Sequence, residues 1–352
     1  MPAPSISVLE GDPNRRGGEA VEFTGGGRLE VRITGADVGR RVSVRYVTDS
    51  ATREKFTDSV GVLTSWDDAV LLITRKGGDS VRIPESALVA GKVVPAAPAR
   101  RRGPSATFPE LARATARAWQ PVESEALGEW TLRAADGFTR RANSVLPLGD
   151  PGLPVADALT HARAWYAARK LPAYVQTATG AEGTQELLCA ELDRHGWRRE
   201  VSAEVRIAAL APIADLDADV SAVHLSRTFD EAWLRRYQRF GEPGPAVRPV
   251  LASGPSVWFA SVAGTGEIPA AIGRCVVDGR WAGFMAVEVA PDQRRRGLAT
   301  SVMTALARRA LDEGASAAWL QVETDNDGAR ALYDGMGFAP HHHYHHYRWV
   351  EA

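Results

Sequence analysis

Residues 289 to 300, VAPDQRRRGLAT, join two patterns that no single element can hold. The apolar run RWAGFMAVEVA enters the stretch as a strand, and an amphipathic helix spanning 298 to 313 leaves it. A strand followed by an amphipathic helix is an element order found in α/β and α+β architectures. The turn between them brings successive backbone N–H groups and a helix N-terminus together, a geometry that suits an anion. Gly297 permits close backbone approach, and Ala299 is small enough to keep the helix start near a ligand. No Walker-type Gly-x-x-x-x-Gly-Lys-Ser/Thr and no Gly-x-Gly-x-x-Gly accompanies them. Three consecutive arginines, Arg294, Arg295 and Arg296, therefore leave three readings: a nucleic-acid patch, a solvated charge run, or a cradle for one phosphate ligand.

The bulk composition speaks against the first. A formal net charge of -1, with 45% hydrophobic and 24% charged residues, is that of a soluble globular protein with no general attraction to nucleic acid or membrane. No apolar run reaches 18 residues, and the first 20 residues lack the apolar core of a signal peptide, so a cytoplasmic location is expected. Cys189 and Cys275, the two cysteines, are too few and too far apart for a disulfide framework or a zinc site, and read as small buried hydrophobes.

At 352 residues the chain should form two or three domains. Residues 1–27, rich in Gly and Pro, are expected to be a disordered tail. Residues 28–95 alternate in five short runs (RLEVRIT, RRVSVRYV, SVGVLTSW, AVLLITRK and DSVRIPESALV), which predicts a small all-β, SH3-like barrel. A Pro/Ala-rich linker follows at 96–107. Residues 108–210 mix helix and strand, and residues 216–352 open with an expected helix, VHLSRTFDEAWLRRYQRF, before three strands and the arginine stretch.

These last two blocks read as a repeat. With Gly152 set against Gly297, each shows a loop, a long helix, AYVQT against AWLQV, and a second helix ending at HGW against MGF. The first copy departs where chemistry would be needed: its loop, PLGDPGLPVA, has Pro154 where a helix amide should be and no arginine run. The polar stretch 132–149, LRAADGFTRRANSVLPLG, is expected to line a cleft completed by this half.

A second motif decides between the readings of the arginines. Arg294 to Ala299 fits Gln/Arg-x-x-Gly-x-Gly/Ala, and NDGARALYDGMGF, residues 326 to 338, fits Asn-x-x-Ala-x-x-Leu-Tyr-x-x-x-Gly-Phe. Two motifs in this order resemble the GNAT family of acetyl-CoA-dependent N-acetyltransferases. The resemblance covers residues 216–352 well and the earlier copy weakly. The layout, an SH3-like module ahead of a two-part GNAT region whose first half is degenerate, is similar to a group of actinobacterial members.

The resemblance implies a pyrophosphate cradle made by the backbone of Arg294, Arg295, Arg296, Gly297, Leu298, Ala299 and Thr300. It implies that Val287 and Val289 border the pantetheine arm of acetyl-CoA through backbone groups, with an N–H near Val289 as oxyanion donor. Asn326 would bond the pantetheine, although asparagine at a helix start is equally a plain cap. Tyr333, two helical turns on, would act as general acid toward the leaving thiolate, since a phenol near 10 can protonate a thiolate near 8.5. Glu288, alternating with its valine neighbours, is the candidate base, with Glu323 as rival.

The terminal HHHYHHYRW puts His341, His343 and His345 on one face of a strand and His342 and His346 on the other. No acidic or cysteine ligand has a telling spacing, so a polar strand end near the acceptor site is expected, with no metal. The acceptor is an unspecified primary amine, and the SH3-like module would recruit a protein partner. The competing reading is an acyl-CoA-binding scaffold or sensor. A nucleic-acid role for the barrel has weak support: residues 28 to 102 hold 14 basic and 9 acidic residues, three of the basic ones in the linker.

Overall fold

The computed structural model describes residues 30–48, 55–95, 103–237 and 244–351. The expected tail at 1–27 and most of the expected linker lie outside them.

Five antiparallel strands form the N-terminal sheet: β1 (Arg41–Thr48), β2 (Lys55–Asp67), β3 (Val70–Thr74), β4 (Ser80–Pro84) and β5 (Leu88–Val93), in the order β4-β3-β2-β1-β5. Val42, Val44, Leu63, Leu71, Ile73 and Ile83 close its core. The count of five holds, but the membership differs. The described residues of RLEVRIT, 30–34, contribute an isolated bridge from Val31 to Gly91, and the fifth expected run is split by a 3-10 turn at Glu85–Ala87 directly after Pro84. Proline cannot donate to a ladder, so the strand ends there and its remainder joins β1 on the far edge.

Helix α1 (Phe108–Arg117), capped by Thr107, leads to a small sheet of β6 (Glu123–Leu127), β7 (Trp130–Ala134) and β8 (Leu146–Pro147). The stretch 132–149 is therefore strand only at its ends, with a 3-10 turn at Arg140–Ala142 between. Next come α2 (Val155–Ala168), β9 (Tyr174–Thr179), α3 (Glu186–Arg194) and β10 (Trp197–Ala209), then the four-residue α4 (Ala211–Ala214). The helix expected across 223–240 is instead β11 (Val223–Ser226) followed by a six-residue α5 (Glu231–Arg236), its last expected residues lying outside the described ones. Asp230 sets that start, its side chain accepting from Trp233 N at 2.8 Å. The chain closes with α6 (Val247–Ala252), β12 (Ser256–Val262), β13 (Ala271–Asp278), β14 (Trp281–Val289), α7 (Leu298–Asp312), β15 (Ala317–Glu323), α8 (Asp327–Gly335) and β16 (Ala339–Trp349).

Eight of these strands make one sheet, ordered β11-β12-β13-β14-β15-β10-β16-β9. The series α2-β9-α3-β10 and α7-β15-α8-β16 match element for element, and the two series exchange their last strands. β10 lies between β15 and β16, and β16 lies between β10 and β9. One face of the sheet is covered by α4, α7 and α8, over Phe284, Leu320 and Phe338. The other is covered by α1, α5 and α6, over Ile272, Trp281 and Trp319.

Candidate active site

Strands β14 and β15 are parallel but pair only from Trp281 to Phe284, against Ala317 to Leu320. Beyond Phe284 they part. Two local features adjoin the parting. Gly283 gives its side-chain space to the Trp319 indole, which a Cβ there would strike. Ala286, at φ 52°, sits in a bulge where Ala286 and Val287 together oppose Gly273. Past the bulge, Ala290 N–H donates to Ala270 O at 2.8 Å, so by alternation the Val289 N–H points to the other edge, into the opening. Val287 and Val289 rest on the α7 face; Glu288 shares the opposite face with its cross-strand partner Ile272.

The arginine loop follows β14 directly. A 3-10 turn at Pro291–Gln293 leads to Arg295 at φ 63° and Gly297 at φ 80°, both left-handed, and the α7 backbone begins at Leu298. No side chain caps this helix start, no acidic residue occupies its first turn, and the space where a Gly297 side chain would lie is open. Arg294, Arg295 and Arg296 are exposed, whereas Leu298, Ala299 and Thr300 are half-buried. The uncapped N–H groups and the flanking guanidinium groups fit a diphosphate.

Asn326 caps α8, its Oδ1 accepting from Ala329 N at 3.1 Å. Two turns later Tyr333 is half-buried, its ring 5.9 Å from that of Phe338. Arg206, nearly fully buried, holds the far end of this helix through Asp334.

A cavity of about 660 Å³ opens on the opposite face of the sheet, and its walls come from both series. Phe138, Arg140, Arg141, Tyr174, Glu323 and His346 are among its lining. Of the two candidate bases, it takes in Glu323 and not Glu288. The expectation that residues 132–149 line a cleft is met at 136–141. Tyr344 and His346 come from the terminal strand expected near the acceptor site, whereas Tyr174 and Tyr237 were not singled out for it. Arg140 pairs with Glu200 at 2.7 Å, and Tyr174 donates to the same carboxylate at 2.9 Å.

Alternation holds for four of the five histidines of β16; His341 departs from it, lying at a bulge and bonding His342 at 2.8 Å and Ala106 O at 3.1 Å. His343 and His345 stack on one face, while His342 and His346 are fully buried on the other. His345 bonds Thr179 at 2.9 Å and Ser202 at 2.8 Å, and burial pushes it down to about 3.

In the first series the corresponding features are closed. Asp150 N donates to Glu129 at 2.8 Å and Gly152 N to Asp150 at 2.7 Å, so carboxylates already take the loop's amides. The Gln185 side chain bridges from Ala178 N to Pro147 O, across the place where β8 and β9 part.

The family described as "Probable histone acetyltransferase Rv0428c C-terminal" matches residues 106–348, and the "Rv0428c N-terminal Sm-like domain" matches residues 36–92. The small β domain expected as SH3-like thus matches as Sm-like, and the match names no partner for it. The probable histone acetyltransferase Rv0428c of Mycobacterium tuberculosis is 30% identical over 308 residues, 87% of this chain and 93% of the relative. The uncharacterized N-acetyltransferase YobR of Bacillus subtilis is 24% identical over 67% of this chain and 96% of its own. A GCN5-related N-acetyltransferase from Kribbella flavida shares the fold, with a TM-score of 0.52 at 17% identity over 69% of this chain and 95% of that one.

Proposed function

The chain belongs to the Rv0428c acetyltransferase family, and from that premise we infer that it transfers an acetyl group from acetyl-CoA to a primary amine by direct attack in a ternary complex. The observation that carries this reading is the parting of β14 and β15 beside an uncapped, arginine-flanked helix start.

Acetyl-CoA supplies an activated thioester. The amides from Arg295 to Thr300 hold its diphosphate, with Arg294, Arg295 and Arg296 adding a favourable field. The backbone of Val287 and Val289 and the side chain of Asn326 align the pantetheine, and Val289 N–H steadies negative charge on the carbonyl oxygen. The amine's N–C bond forms as the C–S bond breaks. The amine loses one proton, to Glu323 or Glu288, and the departing sulfur gains one from the Tyr333 hydroxyl. The cavity favours Glu323 as acceptor of the first proton. The carboxylate-filled loop and the Gln185 bridge leave the first series as a wall of the acceptor cleft rather than a second cofactor site.

Calorimetric titration of acetyl-CoA into the full chain should give one site per chain, and thiol release should follow on adding an amine. Two sites would reverse the reading of the first series. No binding would remove the cradle altogether.

A further inference from the structure

The cavity carries a chemistry that an amine alone does not account for. Glu323 suits an amine, but the wall across from it is cationic. Arg140 is neutralised by Glu200. Arg141 is not: it donates to the Tyr344 hydroxyl, lies 5.7 Å from the Trp119 ring centre and 5.6 Å from that of Tyr344, and has no carboxylate partner among the described residues. Its Nε is buried and unbonded. Beside it His346 is 2% exposed with neither ring nitrogen bonded, its ring edge-on to Tyr344 at 5.6 Å and to Tyr174 at 6.3 Å. Such a ring is costly to bury unless something in the cavity bonds to it. Burial, and then the field of Arg141, Arg133 and Arg140, keeps it uncharged, so it can donate one hydrogen bond and accept another. A guanidinium framed by aromatic rings with a spare donor grips carboxylates well.

The geometry points to an acceptor that carries a carboxylate as well as its amine, the carboxylate held by Arg141 with His346 bonding beside it, and the amine held near Glu323. This rests on the reading of the chain as an N-acetyltransferase. Glu323 pairs with Ala203 and Ala203 with Tyr344, which separates the two ends by two strand spacings, roughly 10 Å. The acceptor is therefore a small amino acid with its reacting amine several bonds from the carboxylate. A lysine in a basic protein tail fits badly, because its cationic neighbours would meet the arginine wall.

The test is binding of 6-aminohexanoate and L-lysine to the full chain, compared with 6-aminohexanamide, L-lysinamide and a basic lysine peptide. Each acid should bind at least tenfold more tightly than its amide. Arg141→Gln should bring that ratio to about one and Arg141→Lys should keep part of it, with thermal melts confirming that both fold. Equal binding of acid and amide, a ratio that survives Arg141→Gln, or preference for the peptide would overturn the assignment. Thiol release from acetyl-CoA over the same panel separates the two readings. Acid-selective binding without release would defeat the acetyltransferase reading and leave the carboxylate site; release that ignores the carboxylate would do the reverse.

Discussion

In the proposed mechanism Tyr333 and Glu323 divide the chemistry between the two faces of the sheet, and each should fail in its own way when replaced. Tyr333→Phe removes a proton donor but keeps the ring against Phe338. It should lower kcat by about a hundredfold or more while the calorimetric Kd for acetyl-CoA moves less than about twofold. A parallel loss in both would assign Tyr333 to binding. Glu323→Gln should cut kcat/KM more than Glu288→Gln; the opposite ranking would return the base role to Glu288. Tyr333, Asn326 and the arginine loop were legible because each motif is local, its spacing set by one loop or one helix. The segments holding Arg141 and His346 were legible as polar cleft walls, but their meeting with Tyr174 was not, since His346 lies more than 150 residues from both in the chain.

Among the elements, β14 and β15 show how a site is made by withholding contacts. Gly283 lets the Trp319 indole lie across the last paired residues before the strands part. Gly283→Ala should cost about 1–3 kcal/mol through displacement of that ring and lower the melting temperature by several degrees. Gly335→Ala, with open space around it in α8, should leave stability unchanged or raise it slightly. If both variants melt like the parent, the indole does not constrain the neck. The elements misread from sequence failed for physical reasons. VHLSRTFDEAWLRRYQRF has helical spacing throughout, but its first four residues pair with β12 and Asp230 delays the helix. RLEVRIT alternates well, yet β5 already pairs with that edge of β1.

At the scale of the whole molecule, the turn between β3 and β4 ties the Sm-like sheet to the long one. Lys76 O accepts from Thr179 at 2.8 Å, and Arg199 pairs with Asp79 at 2.5 Å, over His345. Folding keeps His345 neutral down to about 3, because burial and then Arg199 and His343 oppose its charge more than Asp79 favours it. The unfolded chain takes that proton near 6.5. Below that pH the unfolded state holds more protons, so stability is lost as pH falls, by up to about 1.4 kcal/mol per unit for each such histidine. His342 and His346 are pushed the same way by burial. Urea midpoints should drop steadily from pH 7 to 5, and His345→Gln should flatten the slope; a midpoint constant over that range would contradict the burial.

The exchange of β10 and β16 means that the two series are clasped rather than stacked. Each completes its ladder with a strand borrowed from the other. A single protease nick in the largely exposed segment 215–222 should therefore leave one particle, inseparable by gel filtration without denaturant. Fragments 1–214 and 223–352 made separately should each be insoluble, and refolded together they should recover the proposed acetyl-CoA binding.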